Sequence, residues 1–116
     1  MSETSVLIAC DDDLVGKHLR QALQKLGHAC VHVARPLEVI RCLDGETRLR
    51  IAIVDLSFGT NAAGALLAYL AGAHPQIRRL LMIEAATARL PQIGLAAEGV
   101  LQRPWTDETL TVALRP

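Results

Sequence analysis

Short apolar runs alternate along the chain with longer segments in which apolar residues recur at helical spacing. The first run ends at a cluster of three aspartates that begins at Asp11, and a later run ends at Asp55. Unbroken runs rich in Val and Ile are typical of parallel strands that are covered on both faces. Five strands are predicted, at residues 6–10, 29–34, 51–55, 79–83 and 100–102.

The segments between the strands carry the helical pattern. Between residues 14 and 26 leucines recur at near-helical spacing, polar residues fill the other face, and Gly27 follows as a stop signal. Pro36 stands where a first helical residue is favoured, and Thr106 can cap the last helix. The helices are predicted at residues 14–26, 37–43, 62–73 and 107–114.

A further helix is expected between the fourth and fifth strands, within residues 85–99, but Pro91 and Gly94 predict that it is short or irregular. Strands and helices still alternate to the end of the chain. This order predicts an α/β fold with one doubly wound, five-stranded parallel sheet and helices on both faces. A chain of 116 residues suits a single domain, which we expect to span residues 5–114.

The acidic residues that follow the first and third strands belong to one edge of this sheet. In an open α/β sheet, ligands bind outside the carboxyl ends of the strands, so the Asp11 cluster and Asp55 should lie close together. Convergent carboxylates favour a hard divalent cation. The sequence therefore predicts a functional site at this edge.

The overall charge excludes two classes of partner. The chain has 12 basic and 12 acidic residues, and only 3% of its residues are aromatic. A neutral chain has no broad field for a nucleic acid or an anionic membrane, and few rings are present to stack on bases. We expect neither a nucleic acid nor a membrane as partner of this domain.

The cysteines indicate a reducing compartment. Cys10, Cys30 and Cys42 are odd in number and lack C-x-x-C spacing, which argues against a disulfide framework or a zinc site. No apolar stretch approaches the roughly 18 residues of a membrane span, and the first residues lack the basic start of a signal peptide. We expect a cytoplasmic protein.

Four motifs each follow one of the predicted strands: an acidic cluster at Asp11, the lone Asp55, a polar residue at Glu84, and a basic-Pro-aromatic triplet that starts at Arg103. In this order they resemble the receiver domain of two-component response regulators, a CheY-like domain with a flavodoxin-like fold. The resemblance covers nearly the whole chain and implies phosphorelay signal transduction without enzymatic turnover.

The resemblance also implies roles for individual residues. Asp55 occupies the position of the phosphoacceptor, which receives a phosphoryl group from a sensor histidine kinase or a phosphotransfer protein. Mg²⁺ is the implied cofactor, with Asp11, Asp55 and the backbone carbonyl of Ser57 as ligands. Asp12 is a further candidate ligand, because it can turn inward where an expected carboxylate is missing.

Four positions depart from the family pattern. Cys10 stands where the first acid is expected, Glu84 where a Thr or Ser is usual, Val100 where an aromatic switch residue is usual, and Arg103 in place of a Lys. An ionised carboxylate at position 84 cannot donate a hydrogen bond to a phosphoryl group. Glu84 and Arg103 either form an ion pair across the edge or remain two solvated side chains.

These departures predict an atypical receiver with impaired or altered phospho-switching at Asp55. The alternative is a phosphorylation-independent pseudo-receiver that serves as a protein-interaction module. A remote alternative is a haloacid-dehalogenase-like phosphatase, since Asp11 and Asp13 match its D-x-D motif, yet Lys17 and Lys25 both fall in the first helix. An output domain beyond residue 116 and a homodimer remain open.

Overall fold

A computed structural model describes residues 4–45, 48–84 and 96–115 of the chain. The strands are β1 (Thr4–Ala9), β2 (Ala29–Val33), β3 (Ile51–Asp55), β4 (Arg78–Glu84) and β5 (Gly99–Arg103). The described helices are α1 (Asp13–Lys25), α2 (Pro36–Gly45), α3 (Thr60–Ala73) and α4 (Asp107–Ala113), and a 3₁₀ turn covers Leu56–Phe58.

The strands form one parallel sheet in the order β2-β1-β3-β4-β5. The chain starts in the interior at β1, moves to the edge strand β2, and then crosses to β3 on the other side. This confirms the predicted doubly wound parallel fold. The direction in which successive strands are added reverses between β1 and β3. In α/β sheets, ligands bind in the crevice at the carboxyl ends of the strands next to such a switch point.

Two apolar layers cover the faces of the sheet. On one face, α2 and α3 bury residues such as Leu43 and Leu67 against the sheet. On the other face, α1 and α4 bury residues such as Leu19 and Leu110. Each fully buried leucine contributes about 1.5–3 kcal/mol relative to an exposed one, so these layers hold the strand ends in place.

The helix-start signals of the sequence are confirmed. Pro36 is the first residue of α2. Thr106 caps α4 by accepting a hydrogen bond from the Thr109 N–H at 3.1 Å. A side-chain oxygen at this position satisfies an N–H that has no partner inside the helix.

Some element bounds differ from the sequence prediction. The strand β1 ends at Ala9, one residue before Cys10, and α3 begins at Thr60, two residues before Ala62. The cause of the earlier start is Gly59, which has a φ of 95° and turns the chain directly into the helix. Of the irregular helix predicted within residues 85–99, residues 85–95 lie outside the described part.

No helix in the described part of the chain combines the length and the apolar character needed to cross a bilayer.

Candidate functional site

Four of the side chains singled out from the sequence meet at the carboxyl edge of the sheet. Cys10 directly follows β1, while Asp55, Glu84 and Arg103 are the last residues of β3, β4 and β5. Neighbouring parallel strands end at the same edge, so their final side chains converge there. The structure therefore places Cys10, Asp55, Glu84 and Arg103 in one cluster, which we call the Asp55 cluster.

Asp55 lies at the floor of this cluster with an exposed fraction of 0%. Its Oδ2 accepts a hydrogen bond from the Cys10 Sγ–H at 2.9 Å, and its Oδ1 accepts one from the Ser57 N–H at 3.2 Å. The Arg103 Nη2 lies 3.9 Å from Oδ1. Asp55 is the sole charged residue that is fully buried among those described, and it has donors on both oxygens. A buried carboxylate depends on such donors because water cannot solvate it.

Cys10 acts in this cluster as a neutral donor. Burial, followed by the bond to Asp55, raises the pKa of the Cys10 thiol to about 12. The thiol therefore keeps its proton at neutral pH, and it points that proton at a carboxylate. Its sulfur also lies 3.4 Å from the Asp12 carbonyl oxygen. No direct sequence signal marks this bond, because a cysteine in an apolar run is most simply a small core residue.

Glu84 and Arg103 form the ion pair that the sequence left as one of two alternatives. Arg103 Nη2 donates to Glu84 Oε1 at 3.1 Å, and the two residues are register partners at the ends of β4 and β5. Arg103 has a 19% exposed side chain and reaches Asp55 with the same nitrogen, so it bridges a buried and an exposed carboxylate. The Nε of Arg103 is buried without a hydrogen-bond partner.

Asp11 and Asp12, which follow Cys10, have different surroundings. Asp11 is exposed, whereas Asp12 caps α1 by accepting from the N–H groups of Leu14 at 3.0 Å and Val15 at 3.1 Å. This cap is worth about 1 kcal/mol in typical helices. Sequence reasoning missed it, although an aspartate directly before a helical run is a standard cap signal.

A pocket of about 190 Å³ opens above Asp55. Its lining residues are Asp55, Leu56, Ser57, Ile83, Glu84 and Arg103. Val100, the fourth departure from the family pattern, does not line it. Val100 is 40% exposed and lines a separate groove of about 370 Å³ between β5 and α4. The structure thus unites three of the four altered positions and leaves Val100 apart.

These residues as arranged do not fit Mg²⁺. The ion demands near-octahedral oxygen ligands at short range, whereas Cys10 presents a protonated thiol, Asp12 is engaged as a cap, and both oxygens of Asp55 accept hydrogen bonds. Among the described residues, no three His, Cys, Asp or Glu side chains are grouped as a metal site. Binding of Mg²⁺ by Asp11, Asp12, Asp55 and Ser57 stays a prediction from the sequence, and it requires these side chains to rearrange from the observed contacts.

The remaining chemistry-bearing residues lie elsewhere. Lys17 and Lys25 are exposed on α1, the helix in which the sequence placed them. His32 lies on β2 with its Nε2 2.8 Å from the Cys10 carbonyl oxygen. Trp105 packs partly buried on the layer of α1 and α4.

No family model and no curated protein matches the chain in sequence. Solved structures match over nearly its whole length. The signal receiver domain of an HD domain-containing protein from Pseudomonas fluorescens Pf-5 has a TM-score of 0.84 at 19% identity, covering 97% of this chain and 92% of that one. A CheY-like receiver domain from Methylobacillus flagellatus has a TM-score of 0.83 at 15% identity, covering 97% of both chains.

A response regulator protein from Burkholderia pseudomallei, solved with a phosphorylated aspartic acid, a calcium ion and citrate, has a TM-score of 0.78 at 25% identity. The match covers 97% of this chain and 67% of that one. These likenesses agree with the five-stranded parallel sheet observed in this chain. The protein therefore has the fold of response regulator receiver domains.

Proposed function

We propose that the protein is a receiver domain of a two-component response regulator in which phospho-switching at Asp55 is impaired. The observation that carries the proposal is the state of Asp55, which ends β3 at the floor of the edge pocket and has a donor on each oxygen. Attack on a phosphoryl group requires a carboxylate oxygen that can approach phosphorus. In this chain the hydrogens of Cys10 and Ser57 already occupy one acceptor site on each oxygen of Asp55, which narrows the approach to phosphorus.

The charges around the pocket support the same proposal. A phosphoryl group is anionic, and the Glu84 carboxylate on the pocket wall repels it. Arg103 attracts it, but its Nη2 is already shared between Glu84 and Asp55. The attraction available to an incoming phosphoryl group is therefore reduced before it arrives.

The proposed donor is a sensor histidine kinase or a phosphotransfer protein, and the domain itself performs no turnover of a substrate. Asp55 accepts the phosphoryl group, Arg103 faces its oxygens, and the Ser57 N–H, which donates to Asp55 before the transfer, lies beside the same pocket as a further donor. An output domain, a homodimer and a cytoplasmic location stay predictions.

The proposal is tested by exposing the protein to a small phosphodonor with Mg²⁺ and measuring the mass gain over time. The matched variant combines Cys10→Asp with Glu84→Thr, which restores the usual receiver residues at two altered positions, and Asp55→Asn is the blank. We expect slow, partial modification of the wild-type protein and faster modification of the double variant. Rapid, complete modification of the wild-type protein would contradict the proposed impairment.

A second candidate function is a phosphorylation-independent interaction module. One observation favours it: the Glu84–Arg103 pair at 3.1 Å and the Cys10–Asp55 bond at 2.9 Å provide internal partners for the pocket groups without any phosphoryl group. The same experiment separates the candidates. A wild-type protein with no mass gain at any donor concentration, beside a double variant that gains mass, supports the interaction module.

A further inference from the structure

The ring of His32 occupies a space that exists only because residue 16 is a glycine. His32 lies on β2, and Gly16 is buried on the α1 face that packs over it. A Cβ placed on Gly16 would lie 2.3 Å from two atoms of the His32 ring, well inside van der Waals contact. The helix and the imidazole therefore approach each other more closely than any other residue at position 16 permits.

This close approach brings His32 to the backbone of Cys10. The His32 Nε2 lies 2.8 Å from the Cys10 carbonyl oxygen. A carbonyl oxygen accepts hydrogen bonds and cannot donate them, so Nε2 carries the proton and donates it. On the other side of the same residue, the Cys10 N–H donates to the Val33 carbonyl oxygen at 3.1 Å.

Cys10 is thus held by β2 through both of its backbone polar groups, one residue after β1 has ended at Ala9. The backbone of Val33 supplies one of these contacts and the imidazole of His32 the other. A residue fixed in this way has a defined Cα–Cβ direction. The side chain that it directs is the thiol on Asp55, at 2.9 Å.

We propose that His32 is a positioning residue for the Asp55 cluster: by donating to the Cys10 carbonyl, under Gly16, it holds the Cys10 thiol on the Asp55 carboxylate. The proposal rests on the proposed function only in taking Asp55 as the switch residue. The imidazole touches neither Asp55 nor a phosphoryl group. It acts through Cys10 and determines how firmly the thiol is held on the Asp55 carboxylate.

Space filling is the alternative role for His32, and the surroundings of the ring allow the two to be separated. On one side the ring contacts Gly16, and on another it borders an open pocket of about 520 Å³. The lining residues of that pocket are Asp13, His32, Val33, Ala34, Glu38 and Arg41. A phenylalanine can fill the space under Gly16 without donating a hydrogen bond, whereas a glutamine can donate from nearly the same position.

The test is the infrared S–H stretching band of Cys10, which a hydrogen bond to a carboxylate moves to lower frequency. Cys10→Ala assigns the band. Cys30, whose Sγ lies 3.4 Å from the His28 carbonyl oxygen, supplies an internal control band in the same spectrum. We expect His32→Phe to lose the low-frequency band of Cys10 and His32→Gln to retain it, while the Cys30 band stays unchanged in both.

An unchanged Cys10 band in folded His32→Phe would overturn the proposal, and so would equal loss in the phenylalanine and glutamine variants. If His32→Phe does not fold, Gly16→Ala gives the same test, because it displaces the imidazole without removing it. Retention of the band in that variant would then overturn the proposal. The wild-type phosphodonor experiment is independent of this band, so failure of the proposed function and failure of the His32 role give different results.

Discussion

Two aspartates of this protein each accept two hydrogen bonds in opposite surroundings. Asp55 is fully buried and accepts from a thiol and a backbone amide. Asp44 on α2 has a 56% exposed side chain and accepts from the Tyr69 hydroxyl at 2.6 Å and the His74 Nε2 at 3.2 Å. The count of hydrogen bonds is equal, so the difference between them lies in the access of water.

Water decides what each set of bonds is worth. Around Asp44, solvent replaces a lost donor, so its exposed hydrogen bonds contribute little to stability. Around Asp55, a lost donor leaves a buried carboxylate without compensation, which costs about 1–3 kcal/mol or more. The length of a hydrogen bond therefore does not show how much it contributes to stability, whereas the burial of the accepting carboxylate does.

The largest expected effect is that of Arg103→Met. The substitution removes the cation that bridges Asp55 and Glu84, and we expect it to lower the free energy of unfolding by about 2–3 kcal/mol, between the values for exposed and buried pairs. Urea denaturation measures the change. Arg41→Met, at an exposed position on α2, is the control and should stay within about 0.5 kcal/mol. Equal losses in the two variants would remove the contrast drawn above.

Cys10→Ala should have the next largest effect. It takes the donor from the buried Oδ2 of Asp55, and we expect a loss of about 2 kcal/mol in the free energy of unfolding. Cys10→Ser keeps a hydroxyl donor at the same place and should lose less than about 1 kcal/mol. Should the serine and alanine variants be equally unstable, packing of the sulfur rather than its hydrogen bond would be the cause.

Glu84→Gln separates stability from ligand response within one cluster. The Glu84 side chain is 69% exposed, so its pair with Arg103 should contribute less than about 1 kcal/mol to the free energy of unfolding. The same substitution removes a repulsive charge and frees Arg103, so we expect tighter binding of beryllofluoride, measured by NMR titration. Glu38→Gln, an exposed acid on α2, is the control. Unchanged binding would show that Glu84 does not act on the pocket.

The smallest effect concerns pH at Asp44. The Tyr69 hydroxyl, and then His74, hold the pKa of the Asp44 carboxyl below its ordinary value. Its stabilisation is thus complete above the ordinary pKa of about 3.9 and disappears as pH falls through the lowered pKa.

The hydrogen bond to Asp44 also raises the pKa of Tyr69. Its contribution to stability is therefore present below about pH 10 and disappears as the pH rises further. Melting temperatures of the wild-type protein and Asp44→Asn, compared across pH, should differ slightly near neutrality and converge at both extremes. A difference in melting temperature that grows in acid would contradict this predicted pH dependence.

Much of the fold was predictable because it depends on patterns local to each segment. The apolar runs placed all five strands, and the alternation with helices implied their parallel order, since each crossover needs a helix to cover a face. The start of α3 was placed two residues late. Its cause, the positive φ of Gly59, depends on how the chain leaves the 3₁₀ turn, which side-chain periodicity does not encode.

The site was predictable in its location and less so in its contacts. Strand ends placed Asp55, Glu84 and Arg103 at one edge, and the Glu84–Arg103 pair was among the stated alternatives. The bond from Cys10 to Asp55 joins residues 45 positions apart, and its geometry depends on how β2 and α1 hold Cys10. The distance between the Cys10 sulfur and the Asp55 carboxylate depends on tertiary packing, so it cannot be derived from the sequence alone.

In the parallel ladder Glu84 lies directly opposite Arg103. Their ion pair therefore depends on the register of β4 and β5 as well as on the two residue types. The effects of substitutions at the two positions are therefore not expected to be independent. Replacing Arg103 first leaves the buried Asp55 without its cation, whereas replacing Glu84 first leaves Arg103 available to Asp55. We therefore expect a stepwise replacement of this pair by a hydroxyl and a lysine to cost less stability when Glu84 is replaced first.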